Sequence, residues 1–311
     1  MKKMIRKVLL FLGLFFLTAV LALSLHFFVI GNQNLGSFQA SLVDKYARLQ
    51  SIQEPKIILI GNSNLTFGMD SRMLQDAMDM PVVNMGLHGG LNNAFLENMA
   101  KLSLNEGDIV VVCHTDYDDD GTISDPPLAW ITVEMHPEFW PLIPREAIPQ
   151  MLKAYPSYLY SSAVHFLTGS TKNIPEEGTS YSRSGFNEFG DVTFRGADSF
   201  VFTDSSVELP RIGQETVRRL NDLNRYVRSK GAAMVVAGYP IGSGEFSPAP
   251  ESYDAFEEEL RASLDCPVIS RFTDYFIPYD CFYDTVFHLN DAGVALRTQQ
   301  LIEDLQNWLR Q

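Results

Sequence analysis

The sequence predicts an α/β protein: a three-layer sandwich with a mostly parallel, five-stranded sheet, carried behind an N-terminal transmembrane helix. Three observations lead there. Short apolar, β-branched runs alternate with amphipathic stretches, the pattern of strand–helix–strand crossovers over a sheet covered on both faces. The strand runs are wholly apolar rather than alternating, as buried parallel strands are. Finally, Lys2, Lys3, Arg6 and Lys7 precede Val8 to Ile30, a run of 23 residues with no Asp, Glu, Lys or Arg.

About 20 apolar residues suffice to span a bilayer. The run 8–30 exceeds a typical signal-peptide core, and no small-x-small cleavage site follows it. The expectation is an uncleaved signal anchor over 1–30, with the basic end cytoplasmic and the body outside. No second apolar run of this length follows, which argues against a polytopic transporter. Residues 31–53 read as a linker, with Leu35, Phe38, Leu42 and Leu49 loosely on one helical face. The body, 54–311, then unfolds in order. Residues 56–60 (Lys-Ile-Ile-Leu-Ile) make a first strand and 71–80 a helix. Residues 81–84 make a short second strand, which runs into Met85-Gly86-Leu87-His88-Gly89-Gly90. A helix over 92–102 and a turn at Asn105-Glu106-Gly107-Asp108 lead to a third strand, Ile109–Cys113. Residues 216–230 form a strongly amphipathic helix with Val217, Leu220, Leu223 and Val227 on one side, closed by Gly231 as helix C-termini prefer. A fourth strand (232–237), a helix (253–264), a fifth strand (266–270) and a closing helix (292–309) complete the pattern. Between strands three and four lies a long insertion, about 115–215, with Trp130, Trp140 and many prolines. A connection of that length is characteristic of a lid or binding excursion.

Formal charge is −14; without the four basic residues at the start the remainder has 20 basic against 38 acidic side chains, or −18. An acidic body disfavours nucleic acid and anionic headgroups as partners. The three cysteines, Cys113, Cys266 and Cys281, are too few for a disulfide framework; Cys113 reads as a buried thiol, whereas Cys266 and Cys281 could pair in an oxidising compartment. No Cys/His spacing matches a zinc site. The cluster Asp116, Asp118, Asp119 and Asp120 lacks the spacing and distal glutamate of a calcium loop and reads as solvated. Neither a metal nor another cofactor is expected.

Chemistry concentrates where the strands end. In parallel α/β folds, reactive groups gather beyond the carboxyl ends of the strands, and Ser63, Gly86, His114 and Tyr239 all fall there. Ser63 follows the first strand in Gly61-Asn62-Ser63-Asn64. A serine hydroxyl needs a base to become a nucleophile. His288 can supply one, and Asp284, four residues earlier, can orient it; Asp280 and Asp291 are alternatives. An acyl-transfer transition state also needs donors for the developing oxyanion. The amides of Ser63 and Gly86 are candidates, with Asn64 or His114 as a possible third. Asn62, Asn92 and Asn93 lie near the same ends. Taken singly, Ser63 could simply cap a helix, and His114 could be structural.

Gly61-Asn62-Ser63-Asn64, the glycines after the second strand, and Asp284 with His288-Leu289-Asn290, Gly293 and Arg297 resemble the SGNH (GDSL-type) hydrolase superfamily, over roughly 56–114 and 216–309. The late motif looks like that of membrane-anchored members acting on cell-envelope polymers. The resemblance implies a flavodoxin-like fold, Ser63 as nucleophile, His288 as base, Asp284 as orienting acid and Gly86 as oxyanion donor. It implies an extracytoplasmic O-acyl esterase or O-acyltransferase whose partner is an acylated glycan or other envelope polymer, with a membrane acyltransferase as a further candidate partner. The chain departs from the pattern at Asn62, where an Asp is usual, and in an Asp-to-His spacing of four rather than three. Cys113-His114-Thr115-Asp116 also replaces the usual Gly-x-Asn-Asp, which removes the oxyanion asparagine. Loss of one such donor typically costs ~10²–10³ in rate. That departure motivates a second reading, a catalytically silent scaffold that binds a glycan or an acyltransferase. A third, anion binding at the Gly61-Asn62-Ser63 helix start, lacks a P-loop pattern.

Overall fold

The computed structural model describes residues 2–169, 178–195, 199–203 and 209–311. Helix α1 (Lys2–Leu25) is long and apolar enough to cross a membrane and buries none of its residues against the body. A π-helical turn, His26–Ile30, and short 3₁₀ turns lead into α2 (Ser41–Ser51). The expected linker is therefore structured at its end. Phe38, Leu42 and Leu49 are buried in the larger apolar core, and α2 runs along strand β2.

The central sheet is formed by β1 (Ile57–Gly61), β2 (Val82–Asn84), β3 (Ile109–Cys113) and β4 (Ala233–Val236), all parallel, in the order β2-β1-β3-β4. Alternate residues feed two cores. Ile58, Ile60, Val110 and Val112 face one side, packing with helices α5 (Asn92–Met99), α8 (Gln214–Ser229) and α9 (Pro250–Ser263). Ile57, Leu59, Ile109 and Val111 face the other, with α4 (Ser71–Met78) and α10 (Asp291–Leu309). Burial on both faces is why these strands carry no polar alternation. Ile57 pairs with both Val82 and Ile109, and Gly61 with Cys113, so the strands end nearly level. Helix α3 (Ser63–Thr66), the loop 85–90 and His114-Thr115 consequently converge on one edge.

Residues 266–270 meet β4 through a single parallel bridge, Val268 to Val236. Pro267 has no N–H to extend that ladder. The chain then makes a separate two-stranded parallel pair, β5 (Ile241–Ser243) with β6 (Phe276–Pro278). Helix boundaries differ slightly from expectation: α4 stops at Met78 because Asp79 turns left-handed at φ +50°, and α5 stops at Met99. Gly231 follows α8 at φ +75°, a conformation that favours glycine.

The insertion contains α6 (Pro126–Val133) and α7 (Ile148–Thr168), which pack on each other, and its base is closed by a bridge between Tyr117 and Ile212. Parts of it (170–177, 196–198 and 204–208) lie outside the described residues. The stretch 178–195 returns across the domain, bridging Ser182 to Ser37 and Phe186 to Val192.

Candidate active site

Gly61 ends β1 where only a hydrogen fits: a Cβ there would stand 2.6 Å from the Cys113 carbonyl oxygen. The chain can then turn at Asn62, whose side chain caps α3 by accepting from the Asn64 amide at 2.9 Å. Ser63 is thus the first residue of α3, with a half-buried side chain at the sheet edge. The loop that carries the histidine is pinned by Tyr283 N–H donating to the His288 carbonyl (2.9 Å) and His288 N–H donating to Thr285 Oγ1 (3.1 Å). Asn290 caps α10 through the Ala292 and Gly293 amides, fixing where that loop ends.

These elements bring the three expected residues together. His288 Nε2 lies 2.8 Å from Ser63 Oγ, and His288 Nδ1 lies 2.7 Å from Asp284 Oδ1. The imidazole is buried and stacks on Phe67, with ring centroids 4.0 Å apart and planes 7° from parallel. Asp284 receives a second donor, the Tyr181 hydroxyl, on Oδ2; the same hydroxyl is 3.3 Å from His288 Nδ1. Burial alone would raise the Asp284 pKa, but the His288 and Tyr181 hydrogen bonds outweigh it and hold the carboxyl below its ordinary value. Burial, then Asp284, push the Tyr181 phenol upward, so it stays a donor. The alternative acids have other partners: Asp291 pairs with Arg195 at 2.8 Å, and Asp280 Oδ1 accepts from Cys281 Sγ at 3.8 Å.

The expected oxyanion donors need correction at three positions. The Gly86 amide is spent on Asn84 Oδ1 at 2.9 Å, because the chain after β2 folds back on its own asparagine. The Asn64 side chain is fully buried and saturated. Its Nδ2 donates to Asn62 Oδ1 (2.7 Å) and the Cys113 carbonyl (3.0 Å), and its Oδ1 accepts from Arg297 Nη2 (2.6 Å). His114 is fully buried, with Nε2 3.2 Å from Glu97 Oε1 on α5. Glu97 also accepts from Arg219 Nε on α8 at 3.1 Å, so the histidine belongs to a buried polar cluster.

Two donors remain by position. Ser63 begins α3, and Gly89 begins the 3₁₀ turn Gly89–Leu91; the first amides of a helix have no partner within it. A Cβ on Gly89 would lie 3.7 Å from the Asn62 Cβ, so this turn sits against the residue preceding Ser63. His88 caps the turn, its Nδ1 accepting from the Gly90 amide at 3.0 Å. Burial lowers the His88 pKa, and the charge of nearby His288 lowers it further, against Asp125. Asn62 is not saturated either: one Nδ2 hydrogen goes to Thr115 Oγ1 at 2.7 Å.

Asp119, Asn92, Asn93 and the cysteines also have defined surroundings. Asp119 is not solvated but buried, accepting from the Asn93 amide at 2.8 Å and pairing with Arg219 at 3.3 Å. Asn93 Nδ2 donates to the Asp116 carbonyl, and Asn92 Oδ1 accepts from Ser124 Oγ. Cys266 and Cys281 are both free and buried, like Cys113, so they do not pair. Among the described residues no cluster of His, Cys, Asp and Glu is disposed to hold a metal.

Sequence reasoning missed four contributors. Tyr181 comes from the insertion, whose path across the site leaves no local signal. Phe67 and Gly89 are ordinary residue types in short turns. Lys45 did leave a signal, because it occupies the same helical face as Leu42 and Leu49. It is fully buried, and its ammonium donates to the carbonyls of Asn84 (2.9 Å), Gly86 (2.8 Å) and Gly190 (2.7 Å). Three acceptors match three N–H donors, although burial pulls the Lys45 pKa down to about 7 against Asp191 and Asp44. It thereby ties the insertion to the loop leading to Gly89.

A cleft of about 1180 Å³ opens between Thr115, Tyr239 and Phe287. Thr115, Tyr239, Tyr253, Val286 and Phe287 line it, together with the charged Asp116, Asp118 and Arg211. Ser63, His288 and Asp284 do not line it; it reaches their neighbours, through Thr115, which is bonded to Asn62, and Phe287, which precedes His288. No family model matches the chain, and no curated protein matches it.

Proposed function

We propose that the protein is a serine acyl-transfer enzyme of SGNH type, with Ser63 as nucleophile, His288 as base and Asp284 as orienting acid. The observation that carries this is the unbroken relay Ser63–His288–Asp284, with both imidazole nitrogens within 2.8 Å of a partner. Ser63 Oγ attacks an ester carbonyl while His288 Nε2 takes its proton. The amides of Ser63 and Gly89 face the oxyanion. The alcohol leaves with the proton from His288, and water or a sugar hydroxyl then takes the acyl group from Ser63. The finer fold assignment, a flavodoxin-like SGNH sandwich, is part of this proposal; the level strand ends and the Val236–Val268 bridge in the fifth position support it.

More specifically, the protein is an O-acyl esterase or O-acyltransferase anchored by α1, with its body outside the membrane, acting on a cell-envelope glycan or related polymer. The basic residues before α1 support that orientation. The cleft, lined by Tyr239, Tyr253, Asp116, Asp118 and Arg211, offers hydroxyl and charged groups that suit a polyhydroxylated chain. Covalent labelling tests the nucleophile. Wild type incubated with a fluorophosphonate gains one phosphonyl group, mapped by peptide mass to Ser63, and Ser63→Ala gains none. Unlabelled Ser63 in folded wild type would remove the enzyme reading.

A second reading, a silent scaffold for a glycan or a membrane acyltransferase, draws support from Cys113-His114-Thr115-Asp116, which stands at the end of β3 in place of the usual segment with the oxyanion asparagine, and whose His114 is bonded to Glu97. It expects Ser63→Ala to leave the cellular phenotype unchanged.

A further inference from the structure

Helix α7 carries an apolar face that the described residues leave uncovered. Leu152, Tyr160, Val164 and Leu167 are 62, 73, 37 and 82% exposed. With exposed Pro156 they recur at intervals of four, four, four and three, which places them on one side of the helix. Met151, Tyr158 and Ser162 form the opposite, buried side. Over 21 residues α7 contains no acidic side chain, in a chain with 38 acids overall, and Lys153 is its only permanent charge.

The position of this face relative to α1 gives it meaning. The apolar part of α1, 8–25, spans about 27 Å at 1.5 Å per residue, close to the ~30 Å hydrocarbon core. The chain therefore leaves the bilayer at the π-helical turn His26–Ile30, and that turn packs on α7. The His26 and Tyr158 rings meet edge-on at 5.8 Å, and Glu134, just after α6, bridges His26 and the Tyr158 hydroxyl. Gln33 Nε2 donates to the Ser162 carbonyl at 3.1 Å. The buried side of α7 is thus clamped to the membrane exit, and its bare side lies within one helix width of it. Trp140, half-exposed in the turn just before α7, is the residue type that settles at a membrane–water boundary.

We infer that α7 is an interfacial helix that lies on the outer leaflet with Leu152, Tyr160, Val164 and Leu167 among the headgroups and upper acyl chains. The occupant of the bare face is lipid: it continues the surface that α1 already meets, and a helix with one lysine and no acid of its own suits phosphate headgroups. The inference rests on α1 being a membrane anchor. A second attachment would stop the body from swinging about His26–Ile30 and hold the cleft at a fixed height above the bilayer.

The test places nitroxides on the full chain in phospholipid nanodiscs, at Leu152→Cys, Tyr160→Cys and Leu167→Cys. Leu14→Cys reports the anchor and Ser229→Cys an aqueous site, with parent-chain background subtracted. The α7 labels should show an oxygen-to-nickel-chelate accessibility ratio several-fold above Ser229→Cys and below Leu14→Cys. A ratio equal to that of Ser229→Cys, with Leu14→Cys in lipid, overturns the inference and leaves the anchor standing. An aqueous Leu14→Cys overturns both. Labels shielded from both reagents would mean that protein covers the face, which overturns the lipid assignment.

Discussion

Tyr181→Phe isolates the role of the insertion in the candidate chemistry, because it removes one oxygen and no packing surface. The Tyr181 hydroxyl donates to Asp284 Oδ2, while His288 Nδ1 occupies Oδ1 at 2.7 Å. A hydrogen bond to a charged group contributes about 1.5–3 kcal/mol. The Asp284 side chain is 21% exposed, so water can replace part of the loss and the lower end applies. The expected destabilisation is about 1.5 kcal/mol. If the hydroxyl matters chiefly by holding the carboxylate in the plane that orients His288, the phosphonylation rate at Ser63 falls about tenfold, equivalent to ~1.4 kcal/mol of barrier. Asp284→Asn should cost far more, up to ~10⁴-fold, because it also disturbs the tautomer. The double variant should react no more slowly than Asp284→Asn alone, since Tyr181 acts through that carboxylate. The assay is the second-order rate of fluorophosphonate addition, followed by intact mass, which needs no natural substrate. An unchanged rate with lowered stability would make Tyr181 purely structural. A faster rate would mean that its hydroxyl drains charge from Asp284 more than it aligns it. Either outcome refutes the positioning argument.

Other outcomes follow from single contacts. Gly89→Ala should keep fold and rate, since its Cβ would meet Asn62 at ordinary contact distance. Gly89→Pro deletes the amide, and the phosphonylation rate should fall ~10²–10³-fold if that N–H holds the oxyanion; an unchanged rate rules the amide out. Lys45→Met strands three buried carbonyls and should cost about 2–4 kcal/mol in denaturant unfolding, less whatever is recovered by no longer burying a cation. Glu97 and Asp284 both titrate below their ordinary values of 4.5 and 3.8. For Glu97, burial opposes the shift, and the His114 and Arg219 contacts overcome it. Such groups contribute stability that is present above those ordinary values and lost as pH falls through the lower folded ones. Melting temperature should therefore drop below about pH 4.5, less steeply in Glu97→Gln. The thiols are buried, with Cys113 pushed up to about 11 and Cys266 to about 12 by burial. Iodoacetamide at neutral pH should leave both unmodified until the chain is denatured.

The parts of this molecule that were legible in the sequence are those governed by local rules. Ile57–Gly61 and Ile109–Cys113 announce themselves as strands by unbroken β-branched apolarity, and strand ends locate Ser63 without further information. His288 and Asp284 were legible for a different reason. They share one loop between a bridge at Phe282–Leu289 and the Asn290 cap, so a short spacing carries their geometry. The choice of candidate oxyanion donor in the loop 85–90 was not legible, because Gly86 and Gly89 differ by less than one turn. Only the closure of Asn84 on the Gly86 amide shows which of the two is spent. The fifth strand failed at Pro267, a local feature whose consequence depended on pairing partners. Tyr181 and the three-carbonyl cradle of Lys45 arise from contacts more than one hundred residues apart in sequence, at Asp284 and Gly190.

Those distant contacts share a logic that explains why the site can sit on such short elements. Helix α3 has four residues and cannot hold Ser63 rigidly by itself. Arg297, fully buried on α10, donates to both the Asn64 carbonyl and Asn64 Oδ1, locking α3 to the helix that follows the histidine loop. Lys45 does the same for the loop after β2 and the returning insertion, and Tyr181 delivers the insertion to Asp284. Lys45 and Arg297 are satisfied by backbone or amide oxygen rather than by a facing carboxylate, unlike Lys56, which pairs with Asp108. The penalty of burying charge is thereby turned into fixed positions for three separate chain segments. Replacing Arg297 with Met should consequently leave the sheet core intact while loosening Ser63 relative to His288. Phosphonylation should slow by more than the loss in global stability accounts for, and exchange protection should fall at the amides of α3 before those of β1. Equal loss of protection across α3 and β1 would show instead that Arg297 supports the whole fold rather than the site.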